Sequence, residues 1–244
     1  MPEQPTPDQF LDWFGDHSAA LAEHGRNLDG DAKVPSCPGW TMQDLLQHTG
    51  HVYEMAATSL SAADPEMGRP PIEPRPEDVP VSEWFAAKAD QLQTAFGLCG
   101  PDTPVWTFLG PKPASFWFRR MANETAVHHW DAAGIENADY SLDPNHAVAM
   151  IDEYLDLFLP RLASQFGDDS ERSIHLHATD TEGEWVLQRS PNGVVVSRAH
   201  AKSTTALRGP AAALALFVWS RSRDNIEIFG DSSQVADWHS SLVI

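Results

Sequence analysis

Residues 115–134, SFWFRRMANETAVHHWDAAG, decide how the chain is read. Drawn as a helix at about 100° per residue, Trp117, Met121, Glu124, His128 and Ala132 fall on one stripe at spacings of four and three. That is the spacing of a face buried in a helix bundle. Glu124 and His128 therefore sit one turn apart on the side that ought to be apolar. A buried carboxylate beside a buried imidazole costs free energy unless something pairs with both. A divalent metal is one such partner, and Glu-x-x-x-His is a sound helical pair of ligands. From this helix alone a buried Glu–His hydrogen bond is the plainer reading. A third residue elsewhere shifts the balance.

That residue lies on a second helix. Pro35, Pro38 and Gly39 prevent a helix before residue 40. Thr41 is a good N-cap with Asp44 three residues on, a variant of the capping box. The helix then runs to about Ala62, with Leu45, His48, Val52, Met55 and Ser59 as its interior stripe. His48 replaces an apolar residue there, as Glu124 and His128 do. A lone histidine in such a place is more often a hydrogen-bonded core residue, but three polar intruders on two facing helices form a constellation. His51 lies about 60° around the helix and is the rival ligand; His129 points about 100° away from His128 and is expected on the surface.

Two more helices complete the set. A first covers residues 8–28, with Phe10, Trp13, Phe14 and Leu21; a third covers 82–97, with Trp84, Phe85, Leu92 and Phe96. The proline-rich stretch 64–80 must be a long crossover, and 100–114 is a second loop in which Trp106 and Phe108 are expected to serve packing. Four helices with two long connections make an unequal four-helix bundle. The rest of the chain changes character. A helix over 144–166, kinked by Pro160, precedes strands at 174–178, 184–188, 194–197 and 203–207, a helix over 210–220, a strand over 226–229 and a last helix over 233–242. Residues 191–193, PNG, read as a hairpin turn. The fold class is therefore α+β, with a bundle over 1–140 and a small α+β domain over 141–244.

Composition narrows the function. Sixteen Lys and Arg against 35 Asp and Glu give a net charge of −19, which repels nucleic-acid phosphates and anionic membranes. No apolar run is long enough to span a membrane, and MPEQPTPDQF has neither the basic start nor the apolar core of a signal peptide. Two cysteines, Cys37 and Cys99, are too few for a disulfide framework and suit a reducing cytoplasm. Cys37 precedes a helix in a proline-rich turn, so structure rather than catalysis is its expected role. His175 and His177 share one face of a strand; their spacing could hold a metal, but polar residues on a half-exposed strand are the plainer reading. Arg208, Arg221 and Arg223 are candidates to hold an anionic substrate, because guanidinium pairs with carboxylate bidentately.

The segments VPSCPGWTMQDLLQHTGHV (34–52) and RRMANETAVHHWDA (119–132) resemble the N-terminal domain of the mycothiol-dependent maleylpyruvate isomerases, members of the DinB-like group of metal-dependent thiol S-transferases. IHLHATDTEGEWVL (174–187), LRGPAAALALFVW (207–219) and IEIFGD (226–231) are similar to that family's C-terminal domain. The resemblance spans about residues 8–244. It implies a DinB-like bundle and a divalent metal, zinc, held by His48, Glu124 and His128, the three intruders the helical projection had picked out. It also implies mycothiol or a similar low-molecular-weight thiol as co-substrate, and Arg221 as the family's arginine in a catalytic role. The expected activity is that of a transferase or isomerase in which a metal-bound thiolate attacks a small electrophile. The partners are then that thiol and that electrophile, with no nucleic acid and no membrane; a monomer is compatible with the sequence. The alternative is a non-catalytic bundle whose metal is structural or whose pocket only binds a ligand. An open fourth position on the metal separates the two, since catalytic zinc keeps one and structural zinc does not.

Overall fold

The computed structural model describes residues 4–162, 171–191 and 193–236. The chain divides into two compact units, Thr6–Ser141 and a second made of Met1–Pro5 with Leu142–Ile244. Helices and a mixed sheet make it α+β.

Thr6–Ser141 is built on α1 (Pro7–Asn27), α2 (Met42–Ser61), α3 (Val81–Leu98) and α4 (Ser115–Glu136). α1 opens with a capping box: the Gln9 amide donates to the Thr6 hydroxyl and the Thr6 amide to the Gln9 side chain, with Pro7 in the first turn. α2 opens on the Thr41–Asp44 box read from the sequence. α4 ends where Asn137 adopts the left-handed conformation, φ 54°, which an asparagine tolerates. α1 packs on α4 and α3, and α2 on α3 and α4, so the helices close a ring around one core. Phe14, Tyr53, Phe96 and Phe118 meet edge-on in that core at centroid distances of 5.0–5.2 Å. Gly50 is required where α2 meets α3: a Cβ there would lie 2.2 Å from the Trp84 ring.

α4 departs from the single buried stripe expected of it. Phe118, Ala122, Thr125, Val127 and Ala133 are buried as well, because α1 and α2 cover different sides of the helix. Thr125 meets that burial by donating to the Met121 carbonyl at 2.6 Å and pairing with the Tyr53 hydroxyl at 2.7 Å. Residues 62–80 carry no helix or strand. The loop before α4 holds a two-residue antiparallel pair that local pattern did not reveal, β1 (Pro104–Val105) with β2 (Lys112–Pro113). It turns Trp106 and Phe108 onto α4: the Trp117 indole donates to the Trp106 carbonyl at 2.8 Å, and Phe108 meets the Phe116 ring.

The second unit starts with α5 (Pro144–Glu153), capped by Asp143, whose carboxylate accepts from the Asn145 and His146 amides. In place of a simple kink at Pro160, the chain widens into a π-turn, Tyr154–Phe158, before α6 (Leu159–Leu162). Pro160 has no N–H for the carbonyl one turn back and its ring presses on it, and the Leu159 amide bonds instead to the Tyr154 carbonyl. Residues 163–166 of the expected helix lie outside the described residues. The sheet then forms from β3 (Ser173–Ala178), β4 (Glu184–Ser190), β5 (Gly193–Ser197), β6 (Thr205–Gly209) and β7 (Glu227–Gly230) in the order β5-β4-β3-β6-β7, parallel only between β3 and β6. α7 (Ala211–Val218) packs on α5, β3 and β6.

β6 begins two residues later than expected. Ser173 and Thr204 hydrogen-bond through each other's hydroxyls there, replacing ladder bonds with side-chain bonds. α7 stops before Trp219, and Ser220 has a positive φ of 59°. The β4–β5 hairpin pairs Ser190 with Gly193, as the PNG turn implied, although residue 192 lies outside the described residues. Of the expected last helix, residues 233–236 form one helical turn, and 237–242 lie outside the described residues.

Candidate metal centre

α2 and α4 pack side by side and bring His48, Glu124 and His128 together. Glu124 Oε1 stands 3.3 Å from His48 Nε2 and 3.4 Å from His128 Nε2. The two imidazole rings meet edge-on at 5.2 Å. One donor atom from each residue lies within 4.8 Å of the other two. Donors around a tetrahedral zinc with bonds of about 2.0–2.2 Å stand roughly 3.3–3.6 Å apart, so the two closest separations already match a shared ion. Two imidazoles and a carboxylate also suit zinc by chemistry, and nickel or iron as well. Burial is uneven: the Glu124 and His128 side chains are 11% and 7% exposed, whereas that of His48 is 41% exposed. The site is closed on the α4 side and open beside His48.

Neighbouring groups orient these three. Asp131, fully buried one turn after His128, accepts from His128 Nδ1 at 2.9 Å. The proton is thereby held on Nδ1, and Nε2 faces Glu124. Asp131 also accepts from the Ser36 hydroxyl at 2.5 Å and the Cys37 thiol at 3.5 Å. Both come from the turn before α2, where the Val34 amide bonds to the Trp40 carbonyl and Gly39 supplies a φ of 89°. The same turn sets the Trp40 ring 5.0 Å from His48 and 6.4 Å from His128. On the other side, buried Arg120 donates to Glu124 Oε2, one helical turn away, leaving Oε1 to the histidines.

Charge follows this arrangement. Burial alone would raise the Glu124 carboxyl, but Arg120 and then His128 outweigh it and hold it well below the usual carboxylate range. Burial likewise opposes a charged His128, yet Glu124 and Asp131 lift it to about 9. Ligation needs the neutral ring, so a metal arriving here would displace that proton.

The other histidines go elsewhere. His51, the rival ligand, packs edge-on against Trp84 at 5.0 Å. His129 is not a surface residue: it is half-buried and shares a hydrogen bond of 2.9 Å with His17 Nδ1, because the side of α4 on which it lies is covered by α1. Arg221 lies in the second unit, in the turn after α7, with Nη1 donating to the Trp219 carbonyl at 3.0 Å. Arg208 pairs with Glu227 on exposed strand surface. His175, expected as a half-exposed polar residue, is only 7% exposed. Sequence reasoning missed the roles of Arg120 and Asp131. Their signals were an Arg four residues before Glu124 and an Asp three after His128, the two spacings at which helical side chains meet.

A helical ring presenting two imidazoles and a carboxylate, followed by an α+β unit, defines a class of enzyme in which the bundle carries a candidate metal centre. Residues 12–133 match the mycothiol maleylpyruvate isomerase N-terminal domain and residues 145–237 the C-terminal domain of the same family. The chain belongs to the mycothiol-dependent maleylpyruvate isomerase family, and is an enzyme of that isomerase and S-transferase-like kind. Two solved structures share the fold. A crystal structure of the mycothiol-dependent maleylpyruvate isomerase has a TM-score of 0.67 at 13% identity, covering 92% of this chain and 93% of that one. A histidine-to-alanine mutant of that enzyme has a TM-score of 0.66 with the same identity and coverage. No curated protein sequence matches the chain. Among the described residues, no helix is long and apolar enough to cross a membrane.

Proposed function

We propose that this enzyme activates a low-molecular-weight thiol, mycothiol or a close analogue, for attack on a small electrophile, with His48, Glu124 and His128 of the 1–140 domain as ligands of one divalent metal. The observation that carries this reading is the placement of Glu124 Oε1 at 3.3 and 3.4 Å from two imidazole nitrogens, in a site that stays open beside His48. A zinc ion on those donors would supply a Lewis acid that makes a thiol ionise near neutral pH.

The chain's own residues do the rest. Asp131 holds His128 in the tautomer whose Nε2 can ligate. Arg120 keeps Glu124 ionised and occupies its second oxygen. The half-exposed flank at His48 is the entry for the sulfur, and Trp40 walls the site beside both imidazoles. No side chain has to act as nucleophile; Cys37 is engaged with Asp131. Addition of the ionised thiol to a conjugated alkene forms a C–S bond and moves the alkene electrons onto the adjacent carbonyl. Rotation about the resulting single bond and elimination then break the C–S bond and return the thiol, which gives cis–trans isomerisation of the kind maleylpyruvate undergoes. Without elimination, the enolate takes up a proton, equivalent to the one the thiol released on ionising, and the product is a stable thioether. Arg221, in the 141–244 domain, is proposed to hold the electrophile's carboxylate.

The test uses tag-free protein, zinc, mycothiol and maleylpyruvate, with products followed by absorbance and intact mass. Metal- and thiol-dependent turnover or conjugate formation is expected. Turnover that survives both chelation and His48→Ala would refute the reading.

A further inference from the structure

The second unit holds another cluster that the reading above does not use. His175 and His177 are two residues apart on β3 and so point to the same face of the sheet. Glu184 on β4 is the register partner of His177. His200 comes from the connection between β5 and β6 and arrives from outside the ladder. The Glu184 carboxylate gathers all three rings: 2.8 Å from His177 Nδ1, 2.8 Å from His200 Nδ1 and 3.5 Å from His175 Nε2. The rings stand 5.2–6.3 Å apart, and one donor atom from each of the four residues lies within 4.8 Å of the others.

His175 gives this cluster its meaning. Its side chain is 9% exposed, and its Nε2 is buried without a hydrogen-bond partner, since 3.5 Å to Glu184 is too long for a good bond. A buried, unpartnered ring nitrogen costs on the order of 1–3 kcal/mol and needs an explanation. His177, Glu184 and His200 also line a cleft of about 310 Å³ together with Asp152, Trp185 and Arg198, so an ion has a path in. A purely structural carboxylate–histidine network would satisfy His177 and His200 but leave His175 facing Glu184 with nothing between them.

We propose that His175, His177, Glu184 and His200 bind a divalent transition metal of the zinc, nickel or cobalt class, independently of the α2–α4 centre. Three imidazoles and one carboxylate are the donors those ions prefer. The ion fills the gap beside His175 Nε2 and ties the β5–β6 connection, through His200, to β3 and β4. Four protein ligands make it a closed site, suited to holding that connection rather than to activating a substrate.

The experiment is a zinc titration of full-length, tag-free protein against a competing chelator, with bound metal counted by elemental analysis. Wild type, His48→Ala, His200→Ala and the double variant are compared. His200 is 78% exposed in its side chain, so its loss leaves packing intact. His48→Ala is expected to bind one equivalent, and adding His200→Ala is expected to weaken that binding at least about tenfold. Zinc is expected to raise the melting temperature of His48→Ala and not that of the double variant. Equal affinity and stoichiometry in His48→Ala and the double variant would overturn the proposal, as would a His48→Ala protein that binds no zinc. Failure of the α2–α4 centre reads differently: His200→Ala alone would then bind zinc no more tightly than the double variant.

Discussion

Replacing Asp131 separates a ligand-orienting role from a structural one. Asp131 is fully buried, and its carboxylate accepts from His128 Nδ1 at 2.9 Å, from the Ser36 hydroxyl at 2.5 Å and from the Cys37 thiol at 3.5 Å. Ser36 and Cys37 are partly exposed and can turn to water. The His128 ring is buried and cannot, so Asp131→Ala orphans one donor at a cost of about 1–3 kcal/mol in stability. It also frees the ring to rotate or change tautomer. Partners that orient a ligand in this way are worth roughly 10–100-fold in metal affinity, or about 1.4–2.7 kcal/mol. Asp131→Asn keeps one acceptor oxygen for His128 and should fall near the tenfold end, with Asp131→Ala near the hundredfold end. The assay is zinc affinity by chelator competition in the His200→Ala background, which isolates the α2–α4 centre, alongside urea denaturation. Wild-type zinc affinity in an Asp131→Ala protein that has lost the expected stability would refute the orienting role and leave Asp131 as a strut.

Other outcomes follow from the same geometry. His48→Ala, Glu124→Ala and His128→Ala should each lose nearly as much thiol-transfer activity as the triple variant, while His51→Ala keeps most metal and activity; additive losses would mean that the three do not act together. Chelation should abolish turnover with far-UV circular dichroism near native, because the aromatic core of the bundle does not depend on the ion; cooperative unfolding on chelator addition would show a structural metal. Burial holds His17 and His129 down to about 4, against about 6.5 in an unfolded chain. Between those values the unfolded state binds more protons, so this contribution to stability is complete above about 6.5 and is lost as pH falls towards 4. Urea midpoints should decline over that window, and less so in His17→Asn; parallel declines would refute the assignment. Arg221→Ala should raise KM for a carboxylate-bearing electrophile more than tenfold with thiol affinity unchanged, and Arg221→Lys should recover part of it. An unchanged KM in Arg221→Ala would remove the residue from substrate binding.

What could be read from the sequence was what local physics dictates. Glu124 and His128 stood out because helical spacing assigns them to a stripe that α4 does bury, and the Thr41–Asp44 box fixed where α2 begins. The stripe expected on α2 was only partly right: Leu45 and Ser59 are buried, but His48, Val52 and Met55 are half-exposed, because α2 turns Met42, Leu46, Thr49, Tyr53 and Ala56 inward and leaves His48 at the border of that face. The partners of those residues were less legible. Asp131 and Arg120 sit at ordinary helical spacings, but what they bind depends on a turn far away in the chain or on a carboxylate already committed to other groups. His129 was misplaced because an angle on α4 does not reveal that α1 covers that side of the helix. The burial of His175 and its grouping with Glu184 and His200 required a hairpin register and a loop crossing, neither of which period or spacing encodes. Pro160 signalled a disturbance in its helix but not its form; a kink and a π-turn both relieve the same missing N–H.

The most direct test of the account is where a metal sits in this protein. Crystals of the full-length, tag-free chain grown with zinc would be measured at the zinc absorption edge, and the anomalous density would locate the ion without reference to activity. A peak is expected bonded to His48 Nε2, a Glu124 oxygen and His128 Nε2 at about 2.0–2.2 Å, with a further position open towards solvent. Zinc-saturated crystals with no peak between α2 and α4, or with His51 in the place of His48, would contradict it.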